Sequence, residues 1–188
     1  FVCRPGFANL LNKSQQRKVI LNADDSWTVT HKPDWVTLSA ESGYKKTELT
    51  ITIDEMPHNQ GNRNDSIVFQ LAGSNDYKCY YRIAQYDYEH EEDSEVVLQN
   101  ATRGNGIEIM FVGEGYDAVD ISNGIYMSDM NEEMEYFFGV EPYKTYRDYF
   151  TVRAAIAVSN ESGIGSTNFW RDTKFNCKKC VKSCYFNY

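Results

Sequence analysis

The sequence predicts an α+β chain in which an all-β amino-terminal sandwich precedes a β-α-β unit. Three observations support this prediction. Up to about residue 88, short segments alternate between apolar and polar side chains and are separated by turn residues. A run of acidic residues follows. Beyond it, an apolar strand, a glycine turn and a helical apolar stripe occur in that order, which is typical of a β-α-β unit.

Composition and charge exclude several classes of protein. Of the 188 residues, 41% are hydrophobic and 24% are charged, as in ordinary globular proteins. The formal net charge of −8 argues against a nucleic-acid partner or an anionic membrane surface, since both attract cationic faces. No apolar run reaches the length of ~20 residues that spans a bilayer. Because the chain begins at Phe1 without a methionine, we expect that an upstream leader has been removed.

The first half contains six short segments predicted as strands: 19–21 is an apolar run, and 27–30, 35–38 and 49–53 have the period of two that marks a strand with one face in a core. They cover residues 19–21, 27–30, 35–38, 49–53, 66–71 and 77–85. Turn-forming residues separate them, as at Pro33-Asp34 and in 39–43. Strands this short and evenly spaced predict an immunoglobulin-like β-sandwich over residues 1–88.

An ordered set of residues in this half resembles a known domain. The set comprises Trp27, Trp35, Ser42-Gly43, Gly61-Asn62-Arg63 and Ile83-Ala84-Gln85. Over residues 7–86 it is similar to the Bacteroidetes-associated carbohydrate-binding domain (BACON), which precedes secreted hydrolases. The resemblance implies a glycan or glycoprotein partner.

Two interpretations of the sandwich stay open. A sugar platform needs exposed aromatic faces, and Tyr44, Tyr80 and Tyr88 are the candidates. Trp27 and Trp35 alternate as core residues instead. We favour a spacer or accessory module.

Residues 86–95 are strongly acidic. Like charges resist packing, so the run predicts a solvated linker, with the linker proper at 89–95 and a second domain over 96–188. Beside His90 the acidic cluster is an alternative cation site, but it lacks the spacing of a Ca²⁺ loop.

The second domain opens with a strand at 107–112 that is apolar on both faces, which predicts cover by helices. A helix is predicted from Asp117 to Phe138, with Asp117 and Asp120 in its first turn and an interruption at Gly124. A short helix over 143–150 and a strand over 152–158 complete the β-α-β unit.

A series of motifs gives this half a more specific resemblance. The motifs are Gly104-x-Gly106-Ile107, Gly113-Glu114-Gly115-Tyr116, Asp120-Ile121, Gly124-x-Tyr126, Phe138-x-x-Glu141-Pro142-Tyr143, Tyr146-Arg147-x-x-Phe150-x-Val152 and Val158-Ser159-x-Glu161-Ser162-Gly163. Over residues 96–176 the series resembles the first part of the IgA-peptidase-like zinc metallopeptidases, which are secreted zincins. Glu114 stands where that family has Asp.

The resemblance implies zinc in the full-length family member, bound through a His-Glu-x-x-His helix. His31, His58 and His90 each lack a histidine four residues away. We therefore transfer no zinc ligand and no catalytic residue, and the roles of Gly113, Glu114, Gly115 and Tyr116 stay unassigned. A phosphate-binding interpretation of the glycines is rejected, because a third glycine is missing and acidic residues crowd the loop.

Cysteines supply the other candidate metal ligands. Cys177, Cys180 and Cys184 have a spacing that suits zinc if a fourth ligand joins them, and disulfide bonding is the alternative. Cys3 and Cys79 form a candidate staple in an oxidising compartment.

Taken together, these features predict the amino-terminal region of a secreted, periplasmic or outer-membrane-surface bacterial metallopeptidase, inactive by itself and attached to the membrane, if at all, by a lipid anchor upstream of residue 1. The alternative is a non-enzymatic surface protein that binds a glycan or a protein partner.

Overall fold

The computed structural model describes residues 1–165 and 169–175. The chain divides into two compact units, Phe1–Asp87 and Tyr88–Tyr188, and each unit is described by itself.

The first unit, all of which the structure describes, consists of nine strands. They are β1 Val2–Arg4, β2 Phe7–Leu10, β3 Gln15–Asn22, β4 Ser26–His31, β5 Val36–Leu38, β6 Ser42–Tyr44, β7 Thr47–Ile53, β8 Arg63–Leu71 and β9 Lys78–Gln85. A four-stranded sheet has the order β1-β3-β7-β5 and a five-stranded sheet the order β2-β9-β8-β4-β6. Strand β2 runs parallel to β9, and the other pairs within this unit are antiparallel.

The two sheets bury alternate side chains in one shared core. In β9, Cys79, Tyr81 and Ile83 are buried while the residues between them are more exposed. Leu21 of the other sheet belongs to the same apolar cluster. The unit is therefore a β-sandwich, as the sequence predicts.

The two tryptophans differ in their surroundings. Trp27 is completely buried and meets the edge of Phe69 with a centroid distance of 5.7 Å. Trp35 is half-buried at the rim of the core, where the guanidinium of Arg63 lies 4.4 Å from its ring centre. The expectation of a core residue is thus confirmed for Trp27, whereas Trp35 caps the core.

The second unit contains a three-stranded sheet and two helices in its described part. The elements are β10 Glu95–Gln99, β11 Ile107–Val112, α1 Ala118–Ser122, α2 Ile125–Phe137 and β12 Phe150–Ala155, with a 3₁₀ turn at Arg147–Tyr149. The sheet order is β10-β12-β11. Because β11 and β12 are parallel and the helices lie between them in sequence, they form the predicted β-α-β unit.

Local chemistry explains the helices. The carboxylate of Asp117 accepts hydrogen bonds from the amides of Val119 and Asp120, and the Asp120 side chain accepts one from the Asp117 amide. This capping box starts α1. Gly124, with φ +77°, separates α1 from α2.

Three expectations for this unit are wrong. The described residues do not cover 107–112 on both faces: Met110 and Val112 are exposed, while Ile109 and Phe111, on the opposite face, pack against the core that the helix residues Met134 and Phe138 share. Residues 143–150 form turns and a single 3₁₀ turn rather than a helix. The last strand spans Phe150–Ala155 instead of 152–158.

The acidic segment before β10 is anchored to this unit. The amide of Asp93 donates to the carbonyl of Ile156, and the amide of Ile156 donates to the carbonyl of Ser94, both at 2.9 Å. The end of the predicted linker is therefore hydrogen-bonded to the residue that follows β12. In the described part of the chain, no helix has the length and apolar character needed to cross a membrane.

Replacing Trp27 with Ala should lower the free energy of unfolding of the first unit by about 3–5 kcal/mol, because it empties the centre of the core. Trp35→Ala should cost about 1–2 kcal/mol, since it removes partial burial and one cation–π contact. Denaturant unfolding followed by circular dichroism measures both. Equal losses for the two variants would contradict the different burial of these side chains.

Candidate functional site

Two of the motifs singled out in the sequence meet at one edge of the three-stranded sheet. The glycine loop (residues 113–116) follows β11, and the serine loop (residues 159–163) lies shortly after β12. Both loops leave the carboxyl ends of parallel strands. In open α/β sheets this edge is where ligands bind.

Backbone hydrogen bonds join the two loops directly. The carbonyl of Gly115 accepts from the amide of Gly163 at 2.6 Å, and the carbonyl of Tyr116 accepts from the amide of Ser159 at 2.7 Å. Two segments that are far apart in the sequence, and that both contribute to the resemblance, therefore form one structural element.

Glycine is required in the first loop for steric reasons. Gly115 has φ +79°, and a β-carbon there would lie 2.6 Å from the carbonyl oxygen of Gly163. A β-carbon on Gly113 would lie 2.7 Å from the Tyr126 ring and 2.8 Å from the Tyr116 ring. Any larger residue would separate the loops or displace the tyrosines.

The carboxylate of Glu114 holds a third segment against the loops. One of its oxygens accepts from the hydroxyl of Thr173 and the other from the amide of Phe175 at 3.0 Å. The hydroxyl of Ser159 accepts from the amide of Lys174 at 3.0 Å. These contacts give Glu114 a structural role in positioning residues 173–175.

Two tyrosines lie beneath the glycine loop. The Tyr116 hydroxyl donates to Asp129 at 2.8 Å, the Tyr126 hydroxyl donates to the carbonyl of Ala155, and the rings meet edge to face at 5.1 Å. Burial raises the pKa of Tyr126 to about 12. Burial, and then the bond to Asp129, raises the pKa of Tyr116 well above its ordinary value. Near neutral pH both phenols are therefore hydrogen-bond donors and not bases.

The serine loop is braced by side chains from residues 171–172. Arg171 donates from Nη1 to the carbonyl of Ser162 at 2.5 Å, and its guanidinium lies 5.1 Å from the centre of the Phe169 ring. The Glu161 carboxylate accepts from the amide of Asp172 at 2.8 Å. The charged side chains of Arg171 and Glu161 are therefore hydrogen-bonded to neighbouring backbone groups and hold the serine loop in place.

The zinc that the resemblance implies finds no set of ligands among the described side chains. Among residues 1–165 and 169–175, no three His, Cys, Asp or Glu side chains are grouped so that they could hold a metal ion. Cys177, Cys180 and Cys184, the predicted metal ligands, lie outside the described residues. We therefore derive no catalytic step through a metal.

An aromatic cleft of about 320 Å³ lies at the amino-terminal ends of β11 and β12. Its lining is Ile107, Pro142, Tyr143, Tyr146, Tyr149 and Phe150. Nearby, Arg147 donates to both carboxylate oxygens of Glu135 at 2.6 and 2.8 Å and to Gln99 at 2.7 Å. These bonds hold the Tyr146-Arg147 motif in place.

The structure separates Tyr44 from Tyr80, two of the three tyrosines predicted to bind sugar. Tyr44 and Tyr80 are exposed on β6 and β9, which lie three strands apart in one sheet, about 14 Å in the hydrogen-bonding direction. These two side chains therefore do not share one platform. Tyr88, the third, belongs to the second unit and packs edge to face on His90 at 5.6 Å.

A groove of about 810 Å³ surrounds Tyr80. Its lining includes the exposed side chains of Val2 and Phe7, with Asn64 and Arg82 beside them. Sequence analysis missed Val2 and Phe7, because β1 and β2 are too short to show alternation. In the sequence, Phe7, Ala8 and Leu10 are all apolar, so Phe7-Ala8-Asn9-Leu10 shows no period of two.

Comparison with known proteins assigns no family. No family model matches the chain, and no curated protein sequence matches it. Among solved structures, a xyloglucanase from Bacteroides ovatus in complex with a heptasaccharide is 14% identical over 46% of this chain, with a TM-score of 0.41. The chain covers 18% of that enzyme.

Two small domains have similar scores. WR4, an MSP family member of C. elegans, is 14% identical over 46% of this chain and 95% of its own, with a TM-score of 0.32. A PapD-like domain of human CEP192 is 10% identical over 47% of this chain and 85% of its own, also with a TM-score of 0.32. Likenesses this distant carry no functional argument.

Replacing Gly115 with Ala should destabilise the second unit by about 2–5 kcal/mol, because strain at positive φ adds to a clash with Gly163. Gly124→Ala is the matched control. Gly124 has almost the same φ, but no atom lies within 4 Å of the added carbon, so the cost should be about 1–2 kcal/mol. Denaturant unfolding compares them. Equal costs would show that the contact between the loops is not formed.

Proposed function

We propose that this chain is the amino-terminal region of a secreted or surface-anchored bacterial zinc metallopeptidase of the IgA-peptidase-like family. Its β-sandwich is a spacer or accessory module, and its β-α-β unit begins the peptidase domain. Residues other than those described supply the zinc ligands.

The joining of the glycine loop to the serine loop is the observation that supports this proposal most strongly. The resemblance was found from motifs along the sequence, and two of those motifs interlock through Gly115 and Gly163. Both loops follow neighbouring parallel strands, so the β-α-β topology brings them to one edge of the sheet, and the hydrogen bond fixes their spacing there. The interlock requires glycine at 115, which explains why the motif contains it.

Each unit then has a distinct role. The second unit presents the carboxyl edge of a parallel pair of strands, with Glu114 and Tyr116 holding the surrounding loops. The first unit has its own core and its own sheets, so it can extend the peptidase from the cell surface without contributing to the chemistry.

Purified residues 1–188 should therefore show no zinc-dependent cleavage of IgA or of a mucin-type substrate, even with excess metal. The protein isolated from its native source should cleave, and a chelator should abolish its activity. A peptide-release assay with equal molar amounts of residues 1–188 and of the native protein measures the cleavage by each. Chelator-sensitive cleavage by residues 1–188, lost on replacing His31, His58 or His90, would contradict the proposal.

The groove around Tyr80 supports a second candidate function, the binding of a glycan by the sandwich. Phe7 and Tyr80 offer exposed aromatic faces, and the side chains of Asn64 and Arg82 lie beside them with hydrogen-bonding groups. Apolar faces flanked by a few polar groups suit a sugar ring. This function is compatible with an accessory module.

If the groove binds a glycan, Tyr80→Ala should weaken binding by about 10-fold or more, since a stacked ring contributes about 1.5 kcal/mol. Tyr44→Ala is the control, because Tyr44 is equally exposed on a distant strand of the same sheet. A glycan array identifies the ligand, and calorimetry then measures the affinity of each variant. The melting temperatures of both variants should match that of the parent chain. If glycan binding survives Tyr80→Ala, or if the parent chain binds no glycan, this groove is not a glycan site and the sandwich acts as a spacer.

A further inference from the structure

Two cysteines that are far apart in the sequence meet inside the sandwich. Cys3 lies on β1 of the four-stranded sheet and Cys79 on β9 of the five-stranded sheet, and each is only 6% exposed. Both belong to the apolar core. The pair therefore lies where the two sheets face each other.

The two thiols are in contact. Cys3 and Cys79 hydrogen-bond to each other through their side chains, and Sγ of Cys3 also lies 3.0 Å from the carbonyl oxygen of Tyr80. A disulfide needs two β-carbons that point toward each other across a short gap. Both side chains point into the shared core from opposed sheets, and they hydrogen-bond to each other, so the two sulfur atoms lie next to each other.

We propose that Cys3 and Cys79 form a disulfide that staples the two sheets of the sandwich, by exchange with an external disulfide such as oxidised glutathione or the active site of a thiol oxidoreductase.

The chemistry has a defined order. The hydrogen bond from Cys3 lowers the pKa of Cys79 and raises that of Cys3, so Cys79 is the first nucleophile. Its thiolate attacks the external disulfide, giving a mixed disulfide and one released thiolate. Cys3 then loses its proton and attacks the sulfur of Cys79, which releases the second thiol. Two protein thiols are oxidised and one external disulfide is reduced to two thiols.

The groove around Tyr80 explains how a reagent reaches buried sulfur. Cys3 and Cys79 both line this groove of about 810 Å³, so an external disulfide approaches the two thiols from there. The proposal thus assigns a covalent modification to this pair, independently of the function of the groove and of the whole chain.

The staple would act on a weak point of the sandwich. Strand β1 has three residues and is hydrogen-bonded to β3 at the edge of its sheet. It also forms one wall of the groove, through Val2 and Cys3. A covalent bond to β9 would hold this strand and close a loop of about 75 residues, which restricts the unfolded chain.

Peptide mapping of the full chain tests the bond. The protein is refolded with oxidised glutathione, free thiols are alkylated, and trypsin is added without reductant. Trypsin cleaves after Lys13, Lys78 and Arg82 and not at Arg4-Pro5, so the disulfide should link residues 1–13 to residues 79–82. The tail cysteines fall in different peptides, which makes a wrong pairing recognisable.

Thermal unfolding provides the second measurement. Reduction should lower the melting temperature of the first unit by about 10 °C or more in the parent chain. The Cys3→Ala, Cys79→Ala double variant should show no change on reduction. Recovery of alkylated Cys3 and Cys79 after oxidation, or a linkage of either to Cys177, Cys180 or Cys184, would overturn the proposal.

Discussion

The backbone contact between Gly115 and Gly163 is the constraint on which the second unit depends. Because β11 and β12 are parallel, the loops that follow them leave the same edge of the sheet, and a 2.6 Å hydrogen bond fixes their separation. That separation lets Glu114 reach the amide of Phe175 and Tyr116 reach Asp129. A side chain at position 115 would disturb all of these contacts, so glycine is required there for steric reasons.

The sandwich depends on a different force. Its two sheets are held by apolar burial around Trp27, with Gln85 as a buried polar exception whose amide donates to the carbonyls of Leu11 and Asp54. A sandwich with such an apolar core is stable without a partner protein, as a spacer domain has to be. The groove beside Tyr80 offers both aromatic and polar groups to solvent. An accessory role and a binding role are therefore compatible in one module.

Sequence patterns predicted the elements whose signal is local. Apolar runs and alternation predicted six of the strands, and Asp117 with Asp120 marked the start of the helix, because these patterns depend on near neighbours. Strands β1, β2 and β6 were not predicted, since three or four residues show at most one repeat of a period, whereas Trp35 extends the alternation of the equally short β5. The exposure of Met110 depends on which face of the sheet the helices cover, and the separation of Tyr44 from Tyr80 depends on strand order; a single sequence encodes neither locally. The Gly115–Gly163 contact could not be predicted from the sequence either, although both glycines belong to the quoted motifs.

The claim that these residues begin a zinc peptidase is tested most directly on the native protein. An antibody against residues 1–87 would isolate it from its source, and intact mass and zinc content would be measured on the same sample. The account predicts a species well above 21.7 kDa, the mass of this chain, with about one zinc ion bound per molecule. A species of 21.7 kDa without zinc would contradict the account and favour a surface binding protein.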